Sequence, residues 1–226
     1  MRYLIDNFGN VVELSGTHLY LSLVPLLIGL VIAVPVGTLV RPVRWLRRTT
    51  LTVAAIAFTI PSLALFVTIP SIFGLRILDP LNVVIALSIY ATALLVRAVP
   101  EALDAVPFDV LDSATAMGFT GLRRSLTVEL PLATPVLVAS VRVVAVTNIS
   151  LVSVGSVIGI GGLGQLFTQG YQRDYPQEIF AGIIAIVVLA LVIDALLFTL
   201  GRALTPWTRA GRTPSRTRRK TAAVGS

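Results

Sequence analysis

The sequence predicts an all-α integral membrane protein with about five transmembrane helices, its N-terminus outside and its C-terminus cytoplasmic. Three observations predict it. The 226-residue chain is 55% hydrophobic and only 13% charged, whereas about a quarter of a soluble domain is charged. Five long apolar stretches carry almost no charge. The basic residues bracket those stretches rather than lining a soluble face, so the net charge of +7 and pI near 10.8 point to membrane flanks and not to nucleic acid.

The elements follow in order. Residues 1–13 hold Arg2, Asp6 and Glu13 and lack the basic start and cleavage site of a signal peptide. Residues 14–40 carry no charge beyond a protonated His18, more than the ~20 residues that span a bilayer. Residues 41–48, RPVRWLRR, bring four arginines and place Trp45 at an interface. A second span is predicted over 51–75, a shorter third over 81–96, a fourth over 132–154 and a fifth over 179–200. Residues 1–205 thus form a membrane domain, with a polar loop at 98–131. Residues 206–226 form a basic tail expected to be disordered and to meet anionic headgroups. With five spans, one side collects fourteen basic residues and the other only Arg2, Arg76 and Arg173. That bias puts the loop and the tail in the cytoplasm.

Residues 108–133 organise the rest. Around them lie Glu101, Asp104, Asp109, Asp112 and Glu129 with Arg97, Arg123 and Arg124, between two hydrophobic blocks. Phe108, Leu111, Ala114 and Met117 recur at a spacing of three, an apolar stripe for one short helix. Gly118 supplies a left-handed or tight turn, and Thr120 is a cap for a second helix ending near Glu129. A helix, a glycine and a helix set in water between two spans offer an apolar face to a soluble partner.

Asp112-Ser113-Ala114, then Gly118, then Glu129-Leu130-Pro131 resembles the EAA-x₃-G…LP loop of permease subunits in bacterial ABC importers. Asp112 stands in place of the usual Glu and Ser113 in place of the first Ala. The resemblance implies a type I ABC importer permease fold, in which Asp109, Asp112, Ser113, Ala114, Met117, Gly118 and Phe119 dock onto cytoplasmic ATPase subunits. IPSLALF (60–66), THLYLSL (17–23) and IGIGGLG (158–164) are similar to the permeases for glycine betaine, choline, carnitine and related quaternary amines, over roughly 14–200. Methionine permeases share the five-span plan and the coupling loop, so an amino-acid solute is the alternative. The resemblance also implies a second permease subunit, an extracytoplasmic substrate-binding protein docking near 74–80 and 170–176, and a bacterial inner-membrane location. ATP and Mg would sit on the partner ATPase, since this chain has no phosphate-binding loop.

Two membrane stretches depart from plain helix. Pro61, followed by Ser62, should kink the second span. Gly159, Gly161, Gly162 and Gly164 should interrupt the helix after Asn148. Irregular backbone at membrane depth lines a cavity or is buried in protein, so these residues are pathway or gate candidates, with close helix packing as the other reading. Arg142 is an intramembrane charge, facing either a cavity or subunit contact, or carbonyls freed near Pro131 and Pro135. Asp194 is expected to pair with a nearby arginine, and His18 and Asn148 to act as hydrogen-bonding glue. With no cysteine and one histidine, no catalytic or metal residues are assigned. An ion-coupled secondary transporter, the rival of another class, would need intramembrane acids, and Asp194 is the only one on offer.

Overall fold

The computed structural model describes residues 2–207, and every regular element within that range is a helix. A short helix α1 (Arg2–Asp6) leads into α2 (Phe8–Val40), then α3 (Arg44–Thr59) and α4 (Ser62–Phe73). Next come α5 (Pro80–Asp104), α6 (Phe108–Ala116) and the single turn α7 (Gly121–Arg124). A π-helical turn (Ser125–Glu129) runs straight into α8 (Leu130–Gly155). Two 3₁₀ turns, Ser156–Ile158 and Gly162–Gly164, precede α9 (Gln165–Gln172) and α10 (Pro176–Leu204). The basic tail expected from residue 206 lies, from 208 on, outside the described residues.

Among the described residues, four helices are long and apolar enough to cross a bilayer alone, including one continuous run from Gly121 to Ile158. The fifth crossing is α3 plus α4, bent by 99°. The expected kink at Pro61 is a full break. Proline forces the residue before it out of the helical region, and Ile60 is extended at φ −64°, ψ 129°. The pair still traverses the sheet of lipid, because its ends meet opposite ends of α5. Arg47 Nη2 lies 2.8 Å from Asp104 at the last residue of α5. Asn82 Nδ2, in the first turn of α5, donates to the carbonyls of Arg76 and Ile77 at 2.7 and 3.0 Å. At 1.5 Å per residue α5 is about 37 Å long, enough for a hydrocarbon core of about 30 Å.

α5 is the central helix, and α2 is its main partner. Gly29, Ala33 and Gly37 form a small-residue row every fourth position on α2. A Cβ at Gly29 would stand 2.6 Å from Ala91 Cβ, and one at Gly37 would stand 2.7 Å from Val99 Cβ. In lipid, association rests on such close packing because the tails are as apolar as leucine. α8 covers a second side of α5, and α10 lies against α8 with Gly201 facing Val138. At the other end of α10, Tyr3 donates to Glu178 Oε1 at 2.9 Å and so ties α1 down. Burial, helped by that bond, pushes the Tyr3 phenol up to about 12.

Gly37→Ala should destabilise the protein in detergent by about 1–3 kcal/mol through overpacking. Gly16→Ala, at a helical position with nothing within 4 Å, should instead gain up to about 1 kcal/mol from helix propensity. Thermal midpoints of the two variants check the contrast. For Tyr3, the raised folded value means the tie is complete below pH 10 and is lost as pH rises through about 12. The phenolate absorbance difference between wild type and Tyr3→Phe should therefore titrate near 12.

Candidate functional site

The coupling loop is built as a short helix on a charged mount. Pro107 precedes α6, and Asp109 sits in its first turn, where a carboxylate suits the positive helix end. The helix stops because Gly118 is left-handed at φ 82°. Gly118 N donates to Thr115 O at 2.9 Å and Phe119 N to Ala114 O at 3.1 Å, using carbonyls the helix leaves open. A side chain at 118 would meet nothing within 4 Å, so the constraint is backbone angle and not space.

The apolar stripe divides. Ala114 is buried and Leu111 packs with Val99, Leu103 and Val106. Phe108 is 76% exposed and Met117 70%. A spacing of three falls 60° short of a full turn at each step, so Phe108 and Met117 end on opposite sides of a nine-residue helix. Asp109, Asp112 and Ser113 are exposed beside them. The outward surface is thus apolar and acidic. The Phe119 ring lies under the Arg123 guanidinium at 4.8 Å.

The second helix expected to end near Glu129 does not end there. Leu130 N–H bonds Ser125 O, five residues back. This π turn fits the backbone around Pro131, which has no N–H to give, and the helix continues as α8. Thr120 occupies the position before α7 and makes no side-chain cap bond.

Sequence reasoning missed what holds the loop. Glu129 is 3% exposed and accepts from Arg41 Nη1 through Oε2 and from Arg124 Nε, at 3.0 Å, through Oε1. Arg41 also reaches Asp104 Oδ1 at 2.7 Å and the Leu103 carbonyl at 3.1 Å. Arg124 donates to Thr115 Oγ1 on α6 at 2.8 Å. One clamp therefore joins the ends of α2 and α5, the start of α8 and the coupling helix. In the sequence the arginines of 41–48 read as a membrane flank, and their reach across 88 positions to Glu129 left no local signal.

The other candidates lie at membrane depth, away from the loop. The Ile60 carbonyl freed at Pro61 accepts from Tyr90 OH, and Phe58 packs edge-on to Tyr90 at 5.5 Å. Ser62 opens α4 beside this break. Gly161, Gly162 and Gly164 are buried in a turn folded back on Ser153 and Ser156, while Gly159 is exposed at its start. Gly162, at φ 47°, lies so close to His18 that a Cβ would stand 2.8 Å from its backbone nitrogen. His18 Nε2 is 2.9 Å from Ile149 O, and Asn148 Nδ2 donates to Ser22 O at 3.1 Å. Both side chains stitch α2 to α8. Arg142 does not bond carbonyls near Pro131 or Pro135. It forms a two-bond pair with Asp194 at 2.8 and 2.6 Å, with its guanidinium over the Phe198 ring. The structure thus brings His18, Asn148 and the glycine turn together, and leaves Pro61–Ser62 and the coupling residues as separate groups.

Up to five crossings, a helical loop at one end and a glycine turn folded into the other define a multi-pass helical membrane protein. Residues 26–210 match the family of binding-protein-dependent transport system inner membrane components, and the chain belongs to that family. It is 34% identical over 208 residues to the osmoprotectant import permease protein OsmW of Salmonella typhimurium, covering 91% of this chain and 97% of the relative. It is 29% identical to the glycine betaine/carnitine/choline transport system permease protein OpuCB of Bacillus subtilis, covering 91% and 94%. Among solved structures it is similar to a chain of the MetNI methionine ABC transporter in an inward-facing conformation. That match has a TM-score of 0.75 and 28% identity, and covers 84% of this chain and 94% of that one.

Glu129→Ala should cost roughly 2 kcal/mol or more, somewhat below a fully buried pair because Arg41 and Arg124 keep partial contact with water. Glu101→Ala, which breaks only the exposed pair with Arg97, should cost about 0.3–0.5 kcal/mol. Thermal unfolding in detergent checks the order.

Proposed function

We propose that the chain is one permease half of an ATP-driven importer for compatible solutes, carrying glycine betaine, choline, carnitine or a related quaternary amine inward by alternating access. The observation that carries the reading is the coupling helix on its clamp: exposed Phe108 and Met117 beside Asp109 and Asp112, rigidly joined to three spans. Such a surface suits a soluble ATPase. ATP binding and hydrolysis, with Mg, occur on that partner, and closure of the ATPase pair moves α6. A second permease subunit completes the pore and a separate extracytoplasmic protein delivers the solute. The family description supports dependence on a binding protein. The relatives' names favour osmoprotectants over the methionine alternative. The basic flanks support the orientation with the coupling loop in the cytoplasm.

A mild-detergent purification from native membranes should recover an ATPase subunit with this chain. Gly118→Val, which asks a β-branched residue to hold φ 82° at a cost of about 1–2 kcal/mol or more, should lower that recovery severalfold while the spans stay folded. Recovery of the chain alone, still moving solute, would favour an ion-coupled transporter.

A further inference from the structure

We infer that a trough running along α8 and α9, at the end of the spans away from the coupling loop, forms one wall of the solute path and is built to pass a methylated ammonium cation; the inference rests on the importer reading above. The exposed face of α8 carries Ala139, Val143, Val146 and Ser150 at helical spacing, with Ser153 on its edge and Val157 in the 3₁₀ turn beyond. Its hydroxyls differ in kind. Ser140 and Thr147 bond their own helix at Val136 O and Val143 O, as Thr92 does to Ser88 O on α5, and so tolerate hydrocarbon. The Ser150 and Ser153 hydroxyls have no hydrogen-bond partner among the described residues. An unbonded hydroxyl is costly in an apolar medium, and water on this face removes the cost. Lower on the same seam, the Arg142 and Asp194 side chains are 29% and 32% exposed, which lipid would penalise.

Two grooves follow one another along the face. One, of about 350 Å³, is lined by Ser150 and Ser153 with Phe167 and apolar residues of α10. The next, of about 540 Å³, shares Ser153 and Phe167 and reaches Thr168 and Tyr171. Phe167 and Tyr171 stand one turn apart on α9, and Tyr171 is 82% exposed. Neither groove is lined by Lys, Arg, Asp or Glu. A largely apolar lining that carries two aromatic rings and the exposed Ser150, without a fixed counter-charge, recognises a weakly hydrated quaternary ammonium by cation–π attraction. It also binds loosely enough to release it. The second permease subunit would supply the facing wall.

The chain has no cysteine, so single cysteines report directly. In native membranes, Ser150→Cys is treated with a methanethiosulfonate bearing a trimethylammonium group, and in parallel with one bearing a sulfonate. The thiolate attacks the reagent's sulfenyl sulfur, a mixed disulfide forms and methanesulfinate leaves. Val31→Cys, at a position of α2 where the native side chain is 73% exposed, is the lipid-facing control. Ser150→Cys should react at least about tenfold faster than Val31→Cys, because a thiol in hydrocarbon stays protonated. It should also prefer the cationic reagent, and Tyr171→Ala should reduce that preference. Equal rates at 150 and 31 would overturn the water-lined wall. Fast reaction without a charge preference, unchanged by Tyr171→Ala, would overturn the cation reading. Co-purification of an ATPase is scored on the same membranes. If it persists while position 150 is inert, the trough alone fails; if wild type yields none, the importer reading fails with it.

Discussion

Hydrocarbon offers no water to a stranded backbone group, and most of the unusual features of this chain answer that constraint. Pro61 strands the Ile60 carbonyl, and Tyr90 from the central helix caps it. The end of α8 strands others, and the glycine turn folds back to meet them, with Ile160 N bonding Gly155 O at 2.9 Å. His18 and Asn148 add side-chain bonds to carbonyls across α2 and α8. Each irregularity is therefore tied to α5 or α2, the pair whose close approach is set by Gly29, Ala33 and Gly37.

The charged end follows a different logic. Glu129 is nearly buried, yet its oxygens are shared between two arginines that retain some exposure. A buried carboxylate is tolerable when its partners satisfy it. The arrangement fixes the positions of three helix ends and of α6, so the coupling surface is presented by a rigid frame and not by a free loop. Asp104 contributes by holding Arg41 and Arg47 together.

Much of this was legible in the sequence, for local reasons. Uncharged length identifies spans, and Gly118 marks its turn because one residue's backbone angle decides it. The break at Pro61 was readable as a position but not as an angle, since the bend depends on Tyr90, thirty positions away. The end of the second loop helix was misread because Pro131 ordinarily stops a helix, and a π turn is invisible to periodicity. Pairing of Asp194 with an arginine was expected; that the partner is Arg142, 52 positions earlier, required the packing of α10 on α8. The clamp around Glu129 lay beyond reach for the same reason, as its members come from five elements: the end of α2, α5, α6, α7 and the π turn.

The unbroken run from Gly121 to Ile158 has a mechanical consequence. At 1.5 Å per residue it is a strut of about 57 Å, longer than the bilayer is thick, with the coupling loop at one end and the glycine turn at the other. A strut transmits tilt without loss. Pivoting by about 10° at the loop end would carry the far end sideways by about 10 Å at that length, so a small movement imposed in the cytoplasm becomes a large one at the opposite membrane face.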